Sequence, residues 1–145
     1  MDWRNFRTCL RAWPRWRAGT PWGLEVLVLQ GCRPRESIGP IPNEGLPHRV
    51  QLSVKGCREM PEETLDALLR AAPKLEQVDA SDCPQLTRIG IASWPRSLAR
   101  LDLNGCSALA SLPARWPPAL RRLGLRGTSA LTADVLPIEF PPSMD

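Results

Sequence analysis

The sequence predicts an α/β chain built as a solenoid of about five repeats, with a curved parallel sheet on its concave face. Three observations predict it. A ten-residue phrase returns five times: GLEVLVLQGC at 23–32, HRVQLSVKGC at 48–57, KLEQVDASDC at 74–83, SLARLDLNGC at 97–106 and ALRRLGLRGT at 119–128. Its last positions lie 25, 26, 23 and 22 residues apart, the period of a stacked supersecondary unit rather than of a closed globule. Within each phrase the later apolar residues alternate with their neighbours at period 2, which sends them to one face of a strand.

The phrases place strands near residues 24–30, 49–55, 75–81, 98–104 and 120–126. Leu27 and Leu29, Leu52 and Val54, Val78 and Ala80, Leu101 and Leu103, and Leu123 and Leu125 point inward by this rule. Each return path is a long crossover, so the strands pair in parallel with their copies. The crossover at 61–72 (PEETLDALLRAA) reads as a helix. Pro61 occupies its first turn, Glu62 and Glu63 suit the positive end of the dipole, and Leu65, Leu68 and Leu69 form one stripe. The other crossovers are irregular or proline-rich convex segments: prolines crowd 33–47, and Pro113, Pro117 and Pro118 cannot occupy a helix interior.

Cys32, Cys57, Cys83 and Cys106 fall at one repeat position, with Thr128 as the last member. Their spacing predicts an inward ladder of small side chains rather than a disulfide or metal framework. No C-x-x-C pair exists, His48 is the sole histidine, and no metal or cofactor is expected.

Residues 1–22 form a separate basic, tryptophan-rich cap. It holds five arginines against one aspartate, and Trp3, Phe6, Leu10, Trp13 and Trp16 follow a helical spacing interrupted at Pro14. A short helical cap over the first repeat is the expectation. A Trp/Arg surface for nucleic acid or anionic lipid would compete for the same indoles. Residues 23–145 carry the repeats. At the far end, residues 112–120 (LPARWPPAL) align with 136–144 (LPIEFPPSM), so the pattern predicts repeats cut at the start of a sixth unit.

The outward residues of the strands make three columns across the sheet. The first is Val26, Gln51, Gln77, Arg100 and Arg122; the second is Val28, Ser53, Asp79, Asp102 and Gly124; the third is Gln30, Lys55, Ser81, Asn104 and Arg126. The face turns acidic at its centre and arginine-rich toward the C-terminus. Gln77, Asp79, Ser81, Arg100, Asp102, Asn104, Arg122 and Arg126 are therefore the candidate partner-binding residues, the simpler alternative being that Asp102 pairs with Arg100 or Arg122. No nucleophile elbow, phosphate-cradling glycine loop or H-E-x-x-H is present, and no catalytic residue is expected. No apolar run approaches the ~20 residues of a membrane-spanning helix, and the basic N-terminus has no apolar core of a Sec signal. The reduced state expected of the ladder thiols favours the cytoplasm.

LARLDLNGCSALASLP at 98–113 resembles the L-x-x-L-x-L-x-G-C-x-x-L-x-x-L-P units of leucine-rich repeat proteins, including plant intracellular immune receptors. LPARWPPALRRL at 112–123 is similar to units of bacterial secreted effectors, in which a helical, tryptophan-containing cap precedes the repeats. Residues 57–83 are similar to cysteine-containing repeats of F-box-type substrate receptors. The resemblance covers roughly residues 23–145. It implies a non-enzymatic protein-interaction module, the recognition part of an effector delivered into a host cell by a non-Sec route. Its partner would be a protein with an acidic or mixed-charge surface, and the module would be monomeric or covered by a partner at its open C-terminal end. The alternatives are the targeting fragment of an E3 ubiquitin ligase, whose activity would need a further domain, and nucleic-acid or membrane-surface binding through the Trp/Arg N-terminus.

Overall fold

The computed structural model describes residues 5–7, 26–28, 51–60, 62–89 and 94–132. Among these residues six three-residue strands and one helix follow in the order β1 (Asn5–Arg7), β2 (Val26–Val28), β3 (Gln51–Ser53), α1 (Glu62–Ala71), β4 (Gln77–Asp79), β5 (Arg100–Asp102) and β6 (Arg122–Gly124). The strands form one parallel sheet in chain order, and those from β3 onward carry the described core. The register joins equivalent positions of the phrases, with Leu52 beside Val78, Val78 beside Leu101 and Leu101 beside Leu123.

β2 to β6 occupy the central three residues of the five expected spans. After β3, β4, β5 and β6 the backbone bends, although the ladder continues beyond β3, β4 and β5. Val54 N–H donates to Asp79 O at 2.8 Å, Ala80 N–H to Asp102 O at 2.8 Å and Leu103 N–H to Gly124 O at 2.9 Å. The bend is a left-handed residue at the penultimate phrase position: φ is 71° at Gly56, 56° at Asp82, 74° at Gly105 and 71° at Gly127. That conformation explains the recurring glycine, since a Cβ disfavours it, and aspartate is among the few other residues that tolerate it.

One expectation is overturned at the N-terminus. Residues 5–7, assigned by spacing to a helical cap, are a strand, with Phe6 in register with Leu27. The spacing Trp3-x-x-Phe6 suits a helical stripe and also the L-x-x-L opening of the repeated phrase, so periodicity over one turn cannot separate them. Strand pairing satisfies the backbone groups along the edge of β2, which a helix would leave open. The remainder of the cap, Cys9, Cys32, His48, the proline-rich 33–47 and the proposed sixth-repeat start at Met144 lie outside the described residues.

The inward pattern holds through the described core. Leu52, Val54, Val78, Ala80, Leu101 and Leu103 are buried, as are Cys57, Cys83 and Cys106. Leu123 and Leu125 are only partly buried, and β6 is the last strand among the described residues. The helix lies within a residue of its expected bounds. Glu62 and Glu63 sit in its first turn and Arg70 in its last, while Leu65, Leu68 and Leu69 are buried against the sheet's core. A 10-residue helix gains little from propensity alone, so its apolar stripe supplies most of its stability.

Among the described residues the later crossovers show no helix and pack through prolines and indoles. Ala110 N–H donates to Thr87 O at 2.8 Å, and Arg88 forms an isolated parallel bridge with Ser111. Trp94 and Trp116, each followed by proline, stack with ring centroids 6.3 Å apart and planes 25° from parallel. The Trp94 indole N–H donates to Arg115 O at 2.9 Å. This stacked geometry supplements the area the rings bury.

Candidate functional site

Opposite the apolar core, the outward residues of β3 to β6 line a groove of about 590 Å³. Two rows define it. Parallel pairing puts neighbours within a row about 4.8 Å apart, and the two rows lie about 6.6 Å apart along the strands. The first row reads Gln51, Gln77, Arg100 and Arg122; the second reads Ser53, Asp79, Asp102 and Gly124. Arg100 is thus the register partner of Arg122, and Asp79 of Asp102.

The acidic row is held in place by its own backbone. Asp79 Oδ1 accepts from the Ser81 amide at 3.0 Å and from the Ser81 hydroxyl at 2.5 Å. Asp102 Oδ1 accepts from the Asn104 amide at 2.9 Å, and Asn104 Oδ1 in turn accepts from the Arg126 amide at 2.6 Å. These are local side-chain to backbone bonds of the kind aspartate and asparagine form at turns. A carboxylate offers about four acceptor sites, so each aspartate keeps capacity toward the groove. Gly124 makes room for this arrangement: a Cβ there would stand 2.8 Å from both Asp102 Oδ1 and Asn104 Nδ2.

The structure divides the eight candidate residues. Gln77, Asp79, Arg100, Asp102 and Arg122 line the groove. Ser81 does not offer itself to a partner: it is 5% exposed and bonded to Asp79, because its short side chain folds back as the strand ends. Asn104 is engaged with the next repeat, and the exposed Arg126 lies outside the lining. The alternative pairing is also absent. Among the described residues Asp102 forms no ion pair with Arg100 or Arg122 and caps the turn instead.

Arg121 was missed, yet it lines the groove beside Arg122. Both amides share the Ala99 carbonyl, at 2.9 and 3.0 Å, so the strand's entry brings Arg121 close to the sheet face. Ala99 at the equivalent site does not line the groove, having no length to reach it. The clue in the sequence was two consecutive arginines where the other phrases have at most one. None of Arg100, Arg121 and Arg122 forms an ion pair with another described residue; Lys55–Asp82 at 3.8 Å and Arg88–Glu62 at 2.6 Å lie elsewhere.

Beneath the sheet, the thiols of the ladder knit adjacent repeats. Cys83 Sγ–H donates to Val54 O at 3.4 Å and Cys106 Sγ–H to Ala80 O at 3.1 Å, equivalent carbonyls one repeat upstream. Cys57, Cys83 and Cys106 are free and buried. The neighbouring Cys106 thiol and burial push the Cys83 thiol well above its ordinary value, which suits a packing role and not a nucleophile. Thr128 departs from the pattern: half-buried, it donates to Leu125 O of its own repeat at 2.7 Å. Cys32 is outside the described residues.

On the helix side, Glu62 accepts from the Thr87 hydroxyl and from Arg88 Nε, which tie the start of α1 to the next crossover. These two bonds hold the Glu62 carboxyl below its ordinary range. Among the described residues no group of three His, Cys, Asp or Glu is placed to hold a metal ion, and no helix is long and apolar enough to cross a membrane. No family model matches the chain, and no curated protein or solved structure shows significant similarity to it.

Proposed function

We propose that this chain is a leucine-rich repeat solenoid acting as a non-enzymatic protein-interaction module, with the groove over the sheet as its recognition surface. The observation that carries the reading is the contrast between the two faces. One side is a buried ladder of leucines and thiols; the other is a groove that carries both signs of charge, whose arginines form no ion pair with another described residue. Polar side chains fixed on a regular strand array suit recognition, because little conformational freedom is lost when they meet a partner. The charges of both signs favour a mixed-charge or acidic protein surface. The similarity of residues 112–123 to effector repeats supports a role as the recognition part of a bacterial effector acting in a host cytoplasm.

Site-specific photo-crosslinking tests this. A benzophenone amino acid replaces Gln77 in the groove or Glu63 on the exposed side of α1, and each protein is irradiated in bacterial and in host-cell lysate. Discrete adducts from position 77 that are absent from position 63 are expected. Adducts from position 63 alone, or equal adducts from both, overturn the assignment.

A further inference from the structure

Resting on that reading of the groove, we infer that Arg100, Arg121 and Arg122 form a carboxylate clamp for an acidic peptide segment of the partner, lying extended across β5 and β6. Arg100 and Arg122 are paired in register, which sets their backbones about 4.8 Å apart, and Arg121 adds a third guanidinium at the same end. That spacing lets two planar forks approach one carboxylate, or adjacent carboxylates, with the paired N–H geometry that lysine lacks. Arg100 and Arg122 are exposed and Arg121 is exposed beside them, so the cations do not depend on burying charge before the partner arrives.

The aspartate row decides what kind of anion fits. Asp79 and Asp102 lie one row away and are held by the Ser81 and Asn104 amides, so they cannot swing aside without giving up those bonds. A nucleic-acid strand carries a phosphate at every nucleotide and is held by basic residues along its whole track. Here the cations occupy one end of the first row only, and the second row would repel the remainder. A peptide places carboxylates at chosen positions and presents neutral or basic groups to the aspartates. The groove therefore selects a short acidic stretch, oriented with its carboxylates on the Arg100–Arg122 side.

Fluorescence anisotropy with the full chain tests the clamp, using fluorescein-labelled (Glu-Ser)5, (Gln-Ser)5 and a (phosphoserine-Gly)5 peptide. The (Glu-Ser)5 probe is expected to bind at least tenfold more tightly than (Gln-Ser)5. Arg100→Ala and Arg122→Ala are each expected to weaken it at least fivefold, Arg122→Lys to weaken it less, and Arg115→Ala, an exposed arginine off the groove, to leave it unchanged. Asp102→Asn is expected to tighten it by removing a repelling charge while keeping an acceptor for the Asn104 amide. Equal binding of (Gln-Ser)5, unchanged (Glu-Ser)5 binding in the Arg100→Ala/Arg122→Ala double variant, or tenfold preference for the phosphoserine peptide would overturn the clamp. Circular dichroism of each variant confirms the fold. If the clamp fails while position 77 still crosslinks, the groove reading stands without it; if both fail, the groove is not the recognition surface.

Discussion

Leu103→Ala and Asp102→Ala set two consecutive residues against each other. Leu103 is 0% exposed, whereas Asp102 faces the groove. Truncating Leu103 removes three carbons, worth about 2.4 kcal/mol at roughly 0.8 kcal/mol per buried CH₂. A cavity contribution comes on top. The equivalent position in the preceding repeat is Ala80, itself fully buried and too short to move into the space. The site therefore closes poorly, and the loss is expected at roughly 3–4 kcal/mol, within the span seen for buried leucine truncations. Asp102→Ala deletes one acceptor of a backbone amide, expected to cost about 1 kcal/mol. Urea unfolding followed by far-ultraviolet circular dichroism, with similar m-values for both variants, measures the two. The reasoning is refuted if Leu103→Ala costs no more than Asp102→Ala.

Gly105→Ala is expected to cost at least about 1–2 kcal/mol because φ is 74° there, and more than Gly127→Ala, since only at 105 would the new Cβ run into the Asp82 carboxylate; comparative thermal melts read the difference. Cys57, Cys83 and Cys106 are expected to resist Ellman's reagent in the folded protein and to react once urea unfolds it; rapid labelling of any of the three in the native state, read by peptide mass spectrometry, contradicts the ladder. Because Glu62 is held below its ordinary 4.5, the stability it contributes is present above that pH and is lost as pH falls through the lowered value. Glu62→Gln should therefore melt below the parent at pH 7 and converge with it in acid; a gap that widens as pH falls rules this out. Asp66 behaves oppositely, since partial burial raises its carboxyl above 3.8. Asp66→Asn is expected to raise the melting temperature at pH 7, with the gain vanishing below pH 3.8.

What was legible in the sequence was the centre of each repeated phrase. Five phrases placed five strands to the residue at their centres, and the second to fourth set the buried Leu52, Val54, Val78, Ala80, Leu101 and Leu103 with the thiols of Cys57, Cys83 and Cys106. The helix at Glu62–Ala71 was equally legible, because proline, acidic residues and a leucine stripe all agree. These are local signals, written in periodicity and backbone conformation. Tertiary pairing decided the rest. Residues 5–7 became a strand because β2 presents an edge to be paired, and no three-residue spacing carries that information. Ser81 folded back onto Asp79 and Arg121 reached the groove because alternation governs direction only while the backbone stays extended, and both lie outside the three extended residues of their strands. Asp82 took the slot of a glycine, and Asp102 turned to the Asn104 amide rather than to an arginine, since a bond to the adjacent backbone orders less chain than a pair between flexible side chains. The arginines were left without an ion pair among the described residues by those choices, which is why the groove's chemistry became visible only in three dimensions.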